Sequence, residues 1–439
     1  MKTSLKIAFI TLGCPKNLVD SEENIKSLRM MGYKLTDDYK KADLIIVNTC
    51  GFINDAIQES LEQIDDALKH NGKVIVTGCL GAKQEIILQK YPKVLEITGP
   101  NSTKDLISAV TKHLPLPEKT RHRTNILQLQ DYKLTPAHYA YLKISEGCNQ
   151  NCSYCIIPNL RGKLVSKPFK EIMQEAEDLV NNGVKELIIV SQDTGAYGTD
   201  LKNTNFLELV TALSDLGIWI RLHYLYPYPE IDKVLPLMAA EKIVPYLDVP
   251  LQHVNKRILQ LMRRPANKEN VLKRIQLWRE VCPDVTIRST FIVGFPGETD
   301  SEFQEMLDFL EESRLDRVGC FKYSAVEGAK ANELPQPVSE KIKEKRFHEF
   351  MTLQQKISAE KLKNKIGKKI KVIIDDFEDN VAVGRSYADA PEIDGLVFIK
   401  DPKKKSIVIG DIVEVLVQDS DEYDLYAVSD TQFGNSLCL

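Results

Sequence analysis

The sequence predicts an α/β multidomain protein whose three parts differ in their pattern of apolar residues. Short apolar stretches alternate with amphipathic helical stretches over residues 1–115. Six further strand–helix units follow over residues 134–365, and residues 366–439 contain strand-like segments and turns but no long helical pattern. These observations predict an N-terminal doubly wound parallel sheet, a central partial barrel of six βα units and a small C-terminal antiparallel β-barrel.

The first part contains three strand-like segments that are rich in Ile and Val, namely LKIAFITLG, ADLIIVNTC and GKVIVTGC. Helical periodicity over Val19–Met31 and Asp55–His70 separates them. Strands that alternate with helices in this way indicate a parallel sheet. The stretch Leu114–Thr124 is rich in proline and charge, which is typical of a linker.

The second part contains six strand candidates separated by amphipathic helical segments such as Phe169–Asn182, Lys268–Val281 and Ser301–Ser313. Six units, rather than eight, predict a barrel that is open on one side. A long charged helical stretch, Ser339–Lys365, ends this part. The strand candidates are Tyr139–Ser145, Glu186–Ser191, Ile218–Tyr224, Tyr246–Leu251, Thr286–Val293 and Arg317–Tyr323.

Composition and charge exclude several functional classes. The chain has 439 residues, of which 43% are hydrophobic and 27% charged, and its net charge of −4 gives no global basic field for nucleic acid. The apolar runs are too short to span a bilayer, so no membrane association is expected. The apolar N-terminal run has no small-residue cleavage site and predicts a first strand, which favours a cytoplasmic protein.

Three of the nine cysteines lie within eight residues, at Cys148, Cys152 and Cys155. Thiolates at this spacing in one loop can ligate three irons of a 4Fe-4S cluster and leave the fourth iron open to a small molecule. A structural zinc site is the first alternative, but zinc takes four ligands and no nearby fourth cysteine follows. Three buried thiols packed as small apolar residues are the second, and the polar residues between them argue against it.

Cys14, Cys50 and Cys79 each close an apolar strand of the first part, and each has a neighbouring glycine. Because parallel strands end at the same edge of a sheet, these three cysteines should converge. Their convergence predicts a second cluster with three protein ligands. The alternative for any one of them is an ordinary buried cysteine at a strand end, and we take the remaining three cysteines as such.

The Cys-x3-Cys-x2-Cys spacing after the first strand of a six-unit barrel resembles the radical S-adenosylmethionine (SAM) superfamily. Two three-cysteine clusters followed by a small barrel resemble its methylthiotransferase family, over essentially the whole chain. The resemblance implies a TIM-like radical SAM core, a C-terminal TRAM domain and an external electron donor. It also implies that the cluster on Cys148, Cys152 and Cys155 generates a 5′-deoxyadenosyl radical from SAM. The other cluster would then carry sulfur that a second use of SAM methylates.

The resemblance also suggests residues that contact SAM. Gln192 and Asp193 end the second strand of the barrel, and Gln252 ends the fourth. Residues at the C-terminal ends of barrel strands are typical of functional sites. Gly294, in the turn after the fifth strand, would let a flat ligand approach the backbone, and Tyr154 lies inside the cysteine loop. The ordinary alternatives are turn geometry for Gly294 and loop packing for Tyr154.

Two substrate classes occur in this family: transfer RNA adenosines, and an aspartate of small-subunit ribosomal protein S-twelve. The segments Gly13–Glu22 (GCPKNLVDSE) and Asn48–Ile53 (NTCGFI) resemble the ribosomal-protein branch, because the RNA enzymes typically have CQMN at the first cysteine. Residues 366–439 carry eight Lys or Arg and fifteen Asp or Glu. An acidic barrel repels RNA and attracts a basic protein. The resemblance and the charge together lead us to expect methylthiolation of the aspartate β-carbon, and they disfavour transfer RNA as a partner. The alternatives are a transfer RNA methylthiotransferase and a non-catalytic iron–sulfur carrier.

Overall fold

The computed structural model describes residues 5–116, 128, 131–264, 271–400 and 407–429. Most of the predicted linker Leu114–Thr124 lies outside the described residues, and so does Cys438. In the described part of the chain, no helix is both long enough and apolar enough to cross a membrane.

The N-terminal part is a five-stranded parallel sheet in the order β2-β1-β3-β4-β5. Neighbouring residues of β1 point to opposite faces: Ile7 packs with α1 and α4, and Ala8 packs with α2 and α3. Helices therefore cover both faces, which confirms the doubly wound sheet. The elements are β1 Lys6–Thr11, α1 Pro15–Met30, β2 Lys34–Leu35, β3 Leu44–Thr49, α2 Asn54–Asn71, β4 Val74–Gly78, α3 Gln84–Lys90, β5 Glu96–Ile97 and α4 Thr103–His113.

The central part is a six-stranded parallel sheet in the order β13-β12-β11-β10-β9-β6, with β6 and β13 as its two edges. This confirms the open barrel of six strand–helix units. Its apolar core lies between the sheet and the surrounding helices. The elements are β6 Tyr139–Lys143, β7 Ser145–Glu146, α5 Ile157–Arg161, β8 Val165–Ser166, α6 Phe169–Asn181, β9 Glu186–Val190, α7 Phe206–Ser214, β10 Trp219–Leu222, α8 Leu235–Ala239, β11 Tyr246–Asp248, α9 Lys256–Leu261, α10 Val271–Val281, β12 Thr286–Val293, α11 Asp300–Ser313, β13 Arg317–Lys322 and α12 Glu340–Lys363.

The C-terminal part is a closed barrel of five strands in the order β14-β15-β16-β18-β17. Four neighbouring pairs are antiparallel as predicted, but β16 and β18 run parallel. The reason is parity, because a closed ring of five strands cannot alternate direction at every pair. The strands are β14 Lys369–Glu378, β15 Val381–Ser386, β16 Val397–Lys400, β17 Ile412–Ser420 and β18 Leu425–Ser429.

A buried ionic cluster joins the C-terminal barrel to the base of the central one. Glu186 at the start of β9 accepts hydrogen bonds from Arg221 Nε of β10 and Arg385 Nη1 of β15, both at 2.7 Å. All three side chains are almost fully buried. The two arginines hold the pKa of Glu186 below its usual range although burial would raise it. The C-terminal barrel is thus attached to the central barrel at the N-terminal ends of the central strands.

Candidate functional site

One cavity of about 380 Å³ lies at the C-terminal ends of the strands of both parallel sheets. Cys14, Cys50 and Cys79, which follow β1, β3 and β4, line one part of it. Cys148, Cys152 and Cys155, which follow β7, line another part of the same cavity. The structure therefore brings the six cysteines of the two predicted sets to a single space.

The three strand ends of the first set are in direct contact. A Cβ atom at Gly13 would lie 3.0 Å from Cys50 Sγ, and one at Gly51 would lie 3.1 Å from the backbone carbon of Cys79. Gly13 has a φ of +86°, so both its conformation and its surroundings require glycine. Asn17 Nδ2 donates to the carbonyls of Leu12 (3.0 Å) and Thr49 (2.9 Å), which ties the first two ends together.

Arg161 of α5 contacts the first set from the central barrel. Its Nε donates to Cys79 Sγ at 3.2 Å. Burial raises the pKa of the Cys79 thiol to about 12, although the guanidinium acts in the opposite direction. A thiol must lose its proton to bind iron. The positive charge of the iron then compensates for the cost of burying a thiolate.

The second set lies on a loop fixed by its own backbone. The Cys148 N–H donates to the Gly162 carbonyl at 3.1 Å, and the Cys155 N–H donates to the Cys152 carbonyl at 3.2 Å. Burial raises the pKa of Cys148 to about 11 and that of Cys155 to about 12. Arg264 Nη1 lies 4.0 Å from Cys152 Sγ, so each cysteine set has one buried arginine beside it.

The thiols at the cavity are all buried or half-buried, and thiolates are the donors that hold iron–sulfur clusters. Among the described residues, no group of three or more His, Cys, Asp or Glu side chains is arranged to hold one metal ion. The ligands of a 4Fe-4S cluster stand farther apart, because each thiolate binds a different iron. Buried thiols with a guanidinium beside each set suit an anionic cluster, whereas a structural zinc site needs four ligands and each set supplies three cysteines.

Four of the five predicted SAM contacts line the same cavity: Tyr154, Gln192, Asp193 and Gln252. Asp193 Oδ2 accepts hydrogen bonds from the Tyr228 hydroxyl at 2.7 Å and from Gln150 Nε2 at 3.1 Å. Burial raises the pKa of Asp193, and its Oδ1 has no partner among the described residues. A buried acceptor without a partner is suited to a ligand donor.

The other contacts differ in their surroundings. Gln192 Nε2 donates to Glu146 Oε1 at 2.9 Å, while its Oε1 is buried without a partner in the described structure. Gln252 has a φ of +72° and bonds through its backbone to β12. Gly294 is not one of the residues that line the cavity. Its N–H donates to Glu298 Oε2 at 3.0 Å, and a Cβ there would lie 2.3 Å from Lys343 Cγ.

Five further charged residues line the cavity, and no sequence pattern had pointed to them: Lys16, Arg161, Asp248, Arg264 and Arg288. Arg161 has the clearest surroundings: it pairs with Asp20 at 2.9 Å and with Glu146 at 2.8 Å. Lys143 contacts the same two carboxylates. This buried cluster joins α1 of the first part to the central barrel, and therefore fixes the two cysteine sets relative to each other.

Family models match three segments of the chain. Residues 6–99 match the "Uncharacterized protein family UPF0004", residues 142–310 match the radical SAM superfamily, and residues 366–429 match the TRAM domain. The central match covers β9, β10, β11 and β12 in full, together with the end of β6. The three matched segments correspond to the two parallel sheets and the closed barrel described above.

Curated relatives match over nearly the whole chain. The ribosomal protein uS12 methylthiotransferase RimO of Proteus mirabilis is 57% identical over 432 residues, covering 96% of this chain and 97% of the relative. The protein of the same name from Cellvibrio japonicus is 56% identical over 431 residues, covering 96% and 95%. Among solved structures, the radical SAM methyltransferase TsrM from Kitasatospora setae matches with a TM-score of 0.53 at 12% identity, covering 73% of this chain and 75% of that chain. This last likeness concerns the fold.

Proposed function

The chain belongs to the RimO family of radical SAM methylthiotransferases, and we propose that it methylthiolates the β-carbon of an aspartate in ribosomal protein uS12. The observation that carries the proposal is the single cavity lined by both cysteine sets. A sulfur-inserting enzyme must form a carbon radical and deliver sulfur to it at one place. Two sets at one cavity meet that requirement, whereas an iron–sulfur carrier has no need of it.

We assign one 4Fe-4S cluster to Cys14, Cys50 and Cys79, and a second to Cys148, Cys152 and Cys155. When bound, the clusters and SAM supply the radical that removes hydrogen and the methylthio group that replaces it, with SAM as both radical source and methyl donor. An external electron donor provides the reducing electron. We assign residues 1–115 to the sulfur-donating domain, 134–365 to the radical SAM core and 366–439 to the TRAM domain.

The residues of the chain have separate tasks in this proposal. Arg161 and Arg264 offset the negative charge of the two cysteine sets in a buried site. Asp193 Oδ1 and Gln192 Oε1, both buried acceptors, orient the amino group of SAM. Tyr154 and Gln252 contact the rest of the cofactor, and Gly294 stays a predicted contact. The enclosing walls exclude water from reactive intermediates.

The target is assigned from charge and from the relatives. Acidic side chains are exposed around two hairpins of the C-terminal barrel, including Asp376, Glu378, Asp419 and Glu422. The full C-terminal part carries a net charge of −7, which favours a basic protein over RNA. The relatives are named for uS12, which is ribosomal protein S-twelve. A ribosomal target also places the enzyme in the cytoplasm.

Mass analysis after parallel incubations tests the proposal. The anaerobically reconstituted enzyme, with SAM and a reductant, is incubated with ribosomes and separately with transfer RNA. We expect uS12 to gain one methylthio group in place of one hydrogen, located at an aspartate by fragmentation. Modification of transfer RNA alone would contradict the proposal, and failure to form 5′-deoxyadenosine at all would favour the carrier.

A further inference from the structure

More cationic than anionic side chains line the cavity. Lys16, Arg161, Arg264 and Arg288 supply four positive charges, whereas Asp193 and Asp248 are the lining carboxylates. Arg161 and Arg288 pair with carboxylates, whereas Arg264 and Lys16 have no carboxylate partner among the described residues.

Each of the three arginines contacts at least one protein group. Arg161 pairs with two buried carboxylates, as described above. Arg288 Nη1 lies 3.1 Å from Asp248 Oδ1, and its Nε lies 3.6 Å from Asp394 Oδ1. The Arg264 guanidinium lies 3.9 Å from the centroid of the Tyr226 ring and donates to the Pro250 carbonyl at 2.5 Å.

Lys16 has no carboxylate partner among the described residues. It lies in the first turn of α1, two residues after Cys14. Its Nζ lies 3.3 Å from the centroid of the Tyr224 ring, which fixes the direction of the ammonium group within the cavity wall. An ammonium group that is partly desolvated, contacts an aromatic ring and has no carboxylate partner in the described structure can take a substrate carboxylate as its counter-charge.

We propose that Lys16 binds the side-chain carboxylate of the aspartate that is to be modified, a specificity role that rests on the proposed function. A carboxylate that enters this cavity loses its hydration, and a fixed ammonium group compensates for that loss. The β-carbon is bonded to the carboxylate carbon. Binding of the carboxylate beside Cys14 therefore places the β-carbon close to the first cysteine set.

This role explains how an aspartate is distinguished from an asparagine of the same shape. The asparagine amide is neutral, so its Oδ1 can accept a hydrogen bond from an ammonium group but brings no negative charge. A site built around a buried charge disfavours the uncharged isostere, because the lysine is then left without a counter-charge. Arg161 and Arg288 cannot serve in this way without giving up their carboxylates, and Arg264 lies beside Cys152 of the second set rather than beside Cys14.

The test compares binding of two forms of uS12, one with the target aspartate and one with asparagine in its place, to the reconstituted enzyme. We expect the wild type to bind the aspartate form about 10- to 100-fold more tightly, as for one buried charged hydrogen bond. Lys16→Met should bind both forms equally, and Lys16→Arg should regain part of the preference. Lys26→Met, on the exposed face of the same helix, should behave as the wild type.

The outcomes separate the possible roles of Lys16. A Lys16→Met variant that keeps the wild-type preference for aspartate would overturn the inference. Loss of about half of the bound iron from Lys16→Met would also overturn it, since Lys16 would then stabilise the cluster. A raised KM for SAM with an unchanged KM for uS12 would overturn it as well. A wild type that modifies transfer RNA and not uS12 would overturn the proposed function itself, and this inference with it.

Discussion

Replacement of Arg161 by methionine tests whether the buried ionic cluster fixes the first part of the chain to the central barrel. The Arg161 side chain is 1% exposed and pairs with Asp20 and Glu146, which are 7% and 11% exposed. Lys143 contacts the same two carboxylates, so without Arg161 one of the two negative charges stays uncompensated. Breaking a buried ion pair by removing one partner costs about 3–5 kcal/mol.

The assay is urea unfolding of the iron-free protein, monitored by circular dichroism. We expect Arg161→Met to lower the free energy of unfolding by about 3–5 kcal/mol, a large part of the 5–15 kcal/mol typical of folded proteins. Lys163→Met is the matched control, since Lys163 is exposed two residues away and should change stability by less than about 0.5 kcal/mol. A loss below about 1 kcal/mol for Arg161→Met would show that the cluster does not hold the two parts together.

Three further predictions concern the contact between the central and C-terminal barrels, the N-terminal cap of α11 and the iron content. Glu186→Gln should lower the free energy of unfolding by about 3–5 kcal/mol, because it leaves Arg221 and Arg385 without their buried carboxylate; an unchanged urea midpoint would refute this. Glu302 accepts from Arg257 and caps α11 with Thr299, contacts that lower its pKa to about 2 although burial acts against them. Because its folded pKa is depressed, Glu302→Gln should cost about 1 kcal/mol at pH 7, and its difference from the wild type should shrink as pH falls from about 4.5 towards 2. A difference that is constant with pH would contradict this. Reconstitution should give about eight irons per wild-type chain and about four for Cys14→Ala. An unchanged iron count in Cys14→Ala would contradict the cluster assigned to Cys14, Cys50 and Cys79.

Strand positions could be predicted where a single segment of the sequence contains the apolar pattern of a strand. The segment Thr286–Val293 matches β12 at both ends, and the other five barrel strands begin within one residue of their predicted starts. The two-residue strands Lys34–Leu35 and Glu96–Ile97 were not predicted, because two residues carry no alternation. The parallel pairing of β16 with β18 was also not predicted, since it arises from closure of the ring.

The sequence predicted which cysteines meet at the cavity, but it did not predict the contacts of the charged residues there. Cys14, Cys50 and Cys79 could be predicted to converge, because each closes a parallel strand. Arg161 could not, since Asp20 lies 141 residues before it and Cys79 lies 82 residues before it. Lys16 is visible in the sequence close to Cys14, but only the folded cavity shows that it has no carboxylate partner among the residues the structure describes.

Methylthiolation of uS12 by variants of each cysteine set tests whether the two sets at one cavity perform successive parts of one reaction. With SAM and a reductant, Cys152→Ala should form neither 5′-deoxyadenosine nor modified uS12. Cys50→Ala should still form 5′-deoxyadenosine, because the second set is intact, but should leave uS12 without a methylthio group. Methylthiolated uS12 from the Cys50→Ala enzyme would contradict the account.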